Sequence, residues 1–183
     1  MRVMNAAEAV SQLVDPARRY PAHYIELAPR SPGLYVWWGR TSVMFGVHGT
    51  RTGDGYVYYV GKASSSAGLR SRLNTHANGK ARSSTLRLTL AALGAGTGEV
   101  KRSGESKVSL TPAFETGVSQ WIADNMDVSW VEVPEPALIE REVVLALQPP
   151  LNLEFNNRHA DYARVKGARN AMRAQAVGWP ARG

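Results

Sequence analysis

The chain has 183 residues, no cysteine, a hydrophobic content of 44% and a formal net charge of +7. This length suits one domain of ordinary size with terminal extensions, and the lack of cysteine excludes disulfides, thiolate metal sites and cysteine nucleophiles. No apolar run approaches the ~18 residues of a membrane span, and the first residues are unlike a signal peptide, so we expect a cytoplasmic protein with no membrane segment.

The positive charge is concentrated in two parts of the chain. Residues 62–107 hold nine Lys or Arg against two acidic residues, and residues 158–183 hold six against one. Residues 108–157 hold one basic residue against eight acidic ones. Because each phosphate neutralised by Lys or Arg releases counterions, a basic block and a basic tail favour binding to a phosphate backbone. A solvated basic surface explains the block alone equally well.

The first third of the chain predicts one helix and two main strands. A helix over 5–14 is followed by a proline-rich irregular lead-in over 16–32. Aromatic and β-branched residues predict strands in Gly-Leu-Tyr-Val-Trp-Trp at 33–38 and Tyr-Val-Tyr-Tyr-Val-Gly at 56–61. The segment 42–48 is a candidate for an extra strand between them.

The remaining chain alternates helices with one further strand. We predict a basic helix from about Ala67 to Ala77 and a second helix over 84–93. The glycine-rich segment 94–107 follows a helix and lacks the Gly-Lys-Ser/Thr ending of a phosphate-binding loop, so it predicts a flexible polar loop. Thr111-Pro112 is typical of a helix start. The later elements are a strand over 128–133, a helix over 137–147 and a basic helix over 158–176.

Glu140 and Glu142 have different surroundings in the helix predicted over 137–147. At 100° per residue, four apolar residues fall within about 60° of Glu140, whereas Glu142 points about 160° away. These apolar residues are Ala137, Val143, Val144 and Leu147. An ionised carboxylate among aliphatic side chains costs several kcal/mol unless it is compensated, so Glu140 needs a metal, an arginine or a functional cleft. Alternatively, Glu140 borders the core and reaches water at its rim.

Arg72 is the second unusual charge. It lies between Leu69 and Leu73 in the sequence and within about 60° of Leu69 in helical projection, on the face predicted to meet the core, whereas Arg70 points elsewhere. An arginine within an apolar stripe suggests a guanidinium directed into a cleft. His76 shares this face one turn later, although a helix-surface histidine fits the pattern equally well.

Five of these features follow the order of a known family. The chain has Gly33-Leu34-Tyr35, then Tyr59-Val60-Gly61, a helix with Arg72, a helix with Glu140, and Asn152 shortly after a Pro-Pro pair. This order resembles the GIY-YIG endonuclease family over about residues 31–154. The resemblance implies a compact α/β sandwich with a small three-stranded antiparallel sheet flanked by helices, here with N- and C-terminal helical extensions.

The family pattern also suggests how the chain is divided. Residues 1–30 would form an N-terminal extension, 31–157 the nuclease-like domain and 158–183 a basic helical tail. The first motif has Leu in place of Ile, and the 24 positions from Tyr35 to Tyr59 exceed the short hairpin usual in the family. Residues 40–54 are therefore predicted to be an insertion.

The resemblance further implies a metal-dependent endonuclease that hydrolyses phosphodiester bonds of nucleic acid, with DNA favoured over RNA. Glu140 would hold one Mg²⁺ or Mn²⁺ ion, Arg72 would brace phosphoryl oxygens, and Tyr35 or Tyr59 would orient or deprotonate the attacking water. His76 matches a histidine found in some branches. Asn152 would support the cluster by hydrogen bonding, or would simply be a turn residue. The candidate substrate-binding residues are Lys62, Arg70, Lys80 and Arg82.

Two alternatives stay open at this point. The chain could be a catalytically silent nucleic-acid-binding module of the same fold, and Glu142 would replace Glu140 as the catalytic acid if the helix were rotated. Target selection would come from the insertion, the 94–107 loop, the basic tail, a homodimer or a partner protein.

Overall fold

The structure is a computed structural model that describes residues 4–64, 68–103 and 107–176. The α-helices of these ranges are α1 (Ala6–Leu13), α2 (Gly68–Asn78), α3 (Thr85–Leu93), α4 (Pro112–Asn125), α5 (Glu140–Leu147) and α6 (Tyr162–Gln175). The strands are β1 (Tyr20–Pro21), β2 (Gly33–Gly39), β3 (Val43–Met44), β4 (Val47–His48), β5 (Thr50–Thr52), β6 (Gly55–Ala63), β7 (Val100–Arg102), β8 (Val108–Leu110) and β9 (Met126–Glu132). Ala67, predicted to begin the basic helix, and residues 177–183 of the predicted tail lie outside the described residues.

The central sheet is antiparallel and has five strands in the order β1-β9-β2-β6-β5. The expected number of three strands was therefore too small, although the three longest strands are the predicted ones. The two added edge strands escape a sequence pattern for physical reasons. Strand β1 has two residues, one of them a proline, and the polar β5 has three, so neither is long enough to show a period of two.

Helices cover both faces of this sheet. Strand β2 is buried along its whole length, and its side chains alternate between the two faces. Leu34, Val36 and Trp38 pack in a core with α1 and α5, while Tyr35 and Trp37 pack in a core with α2, α3, α4 and α6. The predicted α/β sandwich with an antiparallel sheet is thus confirmed.

A bulge interrupts the pairing of β2 with β6. Trp37 lies opposite Tyr59 and Trp38 lies opposite Val57, so Tyr58 is an extra residue in β6. Tyr58 and Tyr59 consequently join the same core. The Tyr58 hydroxyl lies within hydrogen-bond distance of two carbonyl oxygens of the 40–54 segment, at 3.2 and 3.3 Å.

Two later segments differ from the sequence-based expectation or extend it. Strands β7 and β8 form an antiparallel hairpin, so the segment predicted as a flexible loop over 94–107 contains part of a hairpin. Helix α6 packs against α3, and its Val165 and Met172 are buried. The basic C-terminal segment is therefore anchored to the core on one helix face.

Candidate active site

The two motif glycines allow the sheet and Tyr35 to pack closely. Gly61 lies opposite Tyr35, and a Cβ atom at position 61 would overlap the Tyr35 ring and hydroxyl. A Cβ atom at Gly33 would likewise overlap the carbonyl oxygen of Val131 and the side chain of Leu69. Both positions therefore require glycine because another part of the chain occupies the side-chain space.

Tyr35 begins a buried chain of hydrogen bonds behind the sheet. Its hydroxyl lies 2.6 Å from His76 Nε2, and His76 Nδ1 lies 2.6 Å from Ser84 Oγ. Ser84 is the N-cap of α3, where its Oγ accepts the backbone N–H of Arg87 at 3.1 Å. His76 is 0% exposed, which excludes the alternative of a helix-surface histidine.

Burial also controls the protonation of this cluster. Desolvation, assisted by the charges of Arg72 and Arg87, lowers the pKa of His76 well below its usual value, so the imidazole is neutral. Burial raises the pKa of Tyr35 and of Tyr59, whereas the charge of Arg72 lowers both. Both phenols are therefore protonated at neutral pH unless more positive charge enters the site.

Arg72 reaches Tyr35 from α2. Its Nε donates to the Tyr35 hydroxyl oxygen at 3.3 Å, and its Nη1 donates to the Ser83 carbonyl oxygen at 3.0 Å. Among the described residues, Nη2 has no hydrogen-bond partner. Arg72 also lines a pocket of about 510 Å³.

Glu140 enters the same pocket from the first turn of α5. The expected helix start at Ala137 was wrong, because Pro136–Leu138 forms a separate 3-10 turn and the α-helix begins at Glu140 itself. The Glu140 side chain is 15% exposed and accepts a hydrogen bond from Lys62 Nζ at 2.5 Å. Glu142 is exposed, as the projection predicted.

One pocket of about 510 Å³ brings these groups together. Its polar and charged lining residues include Tyr35, Tyr59, Lys62, Arg72, Glu140 and Glu154. Tyr59 also stacks edge-on against His76, with ring centroids 5.7 Å apart. Tyrosine hydroxyls, a guanidinium, an ammonium and two carboxylates therefore converge on one concave surface.

Asn152 hydrogen-bonds to strand β6, whose residues Tyr59, Gly61 and Lys62 line this pocket. Val60 N donates to Asn152 Oδ1 and Asn152 Nδ2 donates to the Val60 carbonyl oxygen, both at 2.9 Å. The neighbouring Leu151 N donates to the Tyr58 carbonyl oxygen at 3.0 Å. The amide therefore pairs with β6 as an adjacent strand would, and it fixes the backbone between Tyr59 and Gly61.

The other candidate substrate-binding residues lie elsewhere. Arg70 donates its Nε to the Ala28 carbonyl oxygen at 2.8 Å and lines a separate cavity of about 700 Å³. Arg82 lines a cavity of about 340 Å³, and Lys80 is exposed. Of the four predicted substrate-binding residues, the structure brings only Lys62 into the pocket with the catalytic candidates.

Four residues near the site were missed by sequence reasoning. Arg87 is fully buried, and Ser84, Glu154 and Arg169 contact the site or line its cavities. Arg87 had a detectable signal, since it projects within about 60° of Leu90 on its helix, as Arg72 does with Leu69. Glu154 and Arg169 had none, because only the folded chain brings them beside Tyr59.

The pocket offers oxygen ligands for a divalent cation. The described residues contain no cluster of three or more His, Cys, Asp or Glu suited to a metal. Mg²⁺ nevertheless keeps several waters and is often bound through one or two carboxylates together with substrate phosphates. Glu140 and Glu154 supply two carboxylates on one pocket wall, and Glu154 forms no ion pair among the described residues. The donor set therefore fits such an ion.

Comparison with known families agrees with this geometry. The family model of the GIY-YIG catalytic domain matches residues 33–171. The chain therefore belongs to the GIY-YIG family, which consists of nucleases acting on nucleic acids. Neither the curated proteins nor the solved structures gave a significant match. No helix in the described ranges has the length and apolar character needed to cross a bilayer.

Proposed function

We propose that the protein is an active, metal-dependent endonuclease that cleaves phosphodiester bonds through this single pocket, with DNA favoured over RNA. The convergence of Tyr35, Tyr59, Arg72 and Glu140 on one pocket carries the proposal. A silent binding module of the same fold requires only a basic surface. Such a module does not require a partly buried carboxylate such as Glu140, or a guanidinium that donates to a buried tyrosine, as Arg72 does to Tyr35.

Arg72 and Lys62 are the proposed phosphate ligands within the pocket. Arg72 Nη2, which has no partner within the described part of the chain, can donate to a phosphoryl oxygen while Nε and Nη1 hold the side chain in place. A preorganised donor of this kind stabilises the charge that develops on phosphorus in the transition state. Lys62 pairs with Glu140 and lines the same pocket, so its ammonium can also contact a phosphate bound there.

The hydrogen bonds of Ser84 determine which proton His76 carries. If Ser84 donates its O–H to Nδ1, then His76 donates Nε2–H to the Tyr35 oxygen, and the Tyr35 proton is left to point toward the pocket that Tyr35 lines. In the opposite tautomer the Ser84 proton has no acceptor among the described residues, which costs about 1–3 kcal/mol in a buried site. We therefore infer that His76 is a hydrogen-bond donor to Tyr35.

This arrangement prepares Tyr35 to act as a base. Its oxygen accepts hydrogen bonds from His76 Nε2 and Arg72 Nε, and both bonds stabilise the tyrosinate. Once Tyr35 has lost its own proton to solvent, its oxygen can accept the proton of the attacking water. Tyr59, whose ring lies edge-on to His76, borders the same space and would orient the water.

Glu140, with Glu154, would hold a divalent ion, Mg²⁺ or Mn²⁺. When bound, such an ion neutralises phosphate charge and lowers the pKa of its water ligands. The same extra positive charge offsets the burial that raises the pKa of Tyr35. GIY-YIG nucleases are generally metal-dependent, which agrees with this assignment.

Several broader expectations belong to the same proposal. We retain 1–30 as an N-terminal extension, 31–157 as the nuclease domain with an insertion at 40–54, and 158–183 as a basic nucleic-acid-binding segment. We also propose a cytoplasmic protein that is targeted through its own basic surfaces, a homodimer or a partner protein.

The test compares two glutamates in one helix. Labelled duplex DNA, single-stranded DNA and RNA are incubated with Mg²⁺, Mn²⁺ or chelator, and we expect metal-dependent cleavage that favours DNA. Glu140→Gln should abolish cleavage and leave binding largely intact, while the exposed Glu142→Gln serves as the control and keeps full activity. Cleavage by Glu140→Gln at the parental rate would refute the assigned acid. Binding without cleavage of any substrate by the parent protein would favour the silent module.

A further inference from the structure

A second concave site adjoins the active pocket and is entirely basic in its charged residues. Its volume is about 340 Å³. The four cations that line it are Arg82, Lys107, Arg169 and Arg173. They come from the segment before α3, from the β7–β8 hairpin and from α6, and the lining contains no acidic residue of the ranges 4–64, 68–103 and 107–176. Three separate parts of the fold thus bring positive charge to one cavity.

The basic cavity is continuous with the catalytic surface. A connecting cavity of about 340 Å³ is lined by Tyr59, Glu140 and Asn152 on the catalytic side and by Thr85 and Arg169 on the other. Thr85 and Arg169 also line the basic cavity. A polymer lying in the active pocket could therefore extend directly into the basic cavity.

Arg169 is the central residue of this arrangement. Its Nε is buried and has no hydrogen-bond partner among the described residues. Burial and the neighbouring Arg173 lower the pKa of Arg169, whereas Tyr59 raises it. A buried donor without an acceptor costs about 1–3 kcal/mol, and the nearby cations repel one another. Among the described residues Arg169 forms no ion pair, and the carboxylates in the lining of the connecting cavity, Glu140 and Glu154, lie on its catalytic side.

Building on the endonuclease proposed above, we propose that this cavity binds a phosphodiester group of the substrate strand adjacent to the scissile phosphate. Guanidinium groups bind phosphate oxygens through paired hydrogen bonds. The first residue of α3 also lines the cavity, and the start of a helix favours an anion. The cavity fixes the position of the strand, while the active pocket performs the chemistry.

The test removes single phosphate charges from the substrate. The cleavage position on duplex DNA is first mapped with the parent protein and Mg²⁺. Single methylphosphonates, which are neutral, are then placed at each position around it, and binding is measured in chelator. One substitution beside the scissile position should weaken binding by about tenfold or more, as expected for one charge-assisted contact.

The protein variants identify the residues responsible. In Arg169→Gln/Arg173→Gln, the same methylphosphonate should cause no further loss of affinity, and the slope of log K against log salt should fall by about 0.9. Arg164→Gln is the matched control, because it removes one charge from the same helix at a side chain that is 58% exposed and outside the cavity. It should keep the parental sensitivity to the methylphosphonate. Circular dichroism confirms folding of each variant.

The outcomes separate this inference from the nuclease proposal. Equal methylphosphonate sensitivity in the parent and the double variant, with cleavage present, would overturn the phosphate site and leave the nuclease standing. Competition by inorganic phosphate that depends on Arg169, without any sensitive phosphodiester position, would identify a free-anion site and also overturn the proposal. If the parent does not cleave, methylphosphonates are placed at every position of the bound DNA. A sensitive position that is lost in the double variant would still support the phosphate site, and its absence would overturn it.

Discussion

Arg87 of α3 and Glu115 of α4 form an ion pair with a 2.8 Å separation, and the arginine side chain in it is 0% exposed. Arg87 also donates to the carbonyl oxygens of Ala77 and Glu115, both at 2.7 Å. The guanidinium therefore joins α2, α3 and α4 from within. Its charge also contributes to keeping His76 neutral.

Replacement of this arginine should destabilise the whole fold. Arg87→Met leaves the Glu115 carboxylate without its cation and three carbonyl oxygens without this donor, so we expect a loss of about 3–5 kcal/mol in the free energy of unfolding, measured with denaturant. The exposed pair of Arg18 with Asp15 provides the control, and Arg18→Met should change stability by less than about 1 kcal/mol. Similar losses in the two variants would show that the buried pair does not hold the helices together.

Gly61 should be intolerant of even the smallest side chain. Gly61→Ala forces the Tyr35 ring away from β6, so we expect lower thermal stability together with loss of cleavage by the protein that remains folded. Gly167→Ala, in α6, is the matched control, since a Cβ there meets nothing within 4 Å and alanine is the better helix former by up to about 1 kcal/mol. An active and stable Gly61→Ala protein would contradict the close packing of Tyr35 on the strand.

The geometry of Arg72, beyond its charge, should be required for cleavage. Arg72→Lys cannot contact Tyr35, Ser83 and a phosphate together, so single-turnover cleavage should slow by about 10²–10³. Arg70→Lys loses only the bond to Ala28, outside the active pocket, and should keep the parental rate per folded molecule. A parental rate in Arg72→Lys, with folding confirmed, would remove Arg72 from the active site.

The buried His76 should make stability depend on pH. Its pKa is lowered from the usual 6.5, so below pH 6.5 the unfolded chain takes up a proton that the folded protein excludes. Stability is thus fully present above pH 6.5 and falls as the pH drops toward the folded-state pKa, by at most about 1.4 kcal/mol per pH unit. Burial raises the pKa of the neighbouring Tyr35 and Tyr59, so both phenols stay protonated over this range.

The measurement is the difference between the parent and His76→Asn in denaturant unfolding from pH 7.5 downward. The difference isolates His76 from His159, whose pKa is also lowered by burial. A pH dependence that is the same in both proteins would show that His76 can be protonated within the folded structure.

The sequence predicted those parts of the fold that have a strong local pattern. Strands β2 and β6 contain dense aromatic and β-branched residues, and α3 and α4 begin at recognisable caps. The predicted limits of β2, β6 and α3 and the predicted start of α4 were therefore close to the observed ones. The start of α5 is set by the separate 3-10 turn over Pro136–Leu138, and the edge strands β1 and β5 exist because longer strands offer them partners. None of these effects is visible in a short window of sequence.

The residues of the candidate site also divide into those with a local sequence signal and those without one. Tyr35, Arg72 and Glu140 could be selected because motif order or an apolar helical face made them unusual. Arg169 could not, because its position beside Tyr59 arises from packing between segments more than 100 residues apart. For Asn152, the resemblance to the family indicated a supporting residue. Only the fold shows that its side-chain amide pairs with the Val60 backbone as a neighbouring strand would.

The extra residue in β6, Tyr58, divides the strand into a part that contacts the 40–54 segment and a part that borders the pocket. Tyr58 anchors the 40–54 segment through its hydroxyl, while Tyr59, the next residue, faces the pocket. Because the bulge absorbs one residue between them, the hairpin before it can lengthen, shorten or be exchanged without changing the register of residues 59–61 against β2. Length changes in the 40–54 segment are thus expected to leave the pocket residues that follow the bulge in place, so this segment can vary independently of the proposed active site.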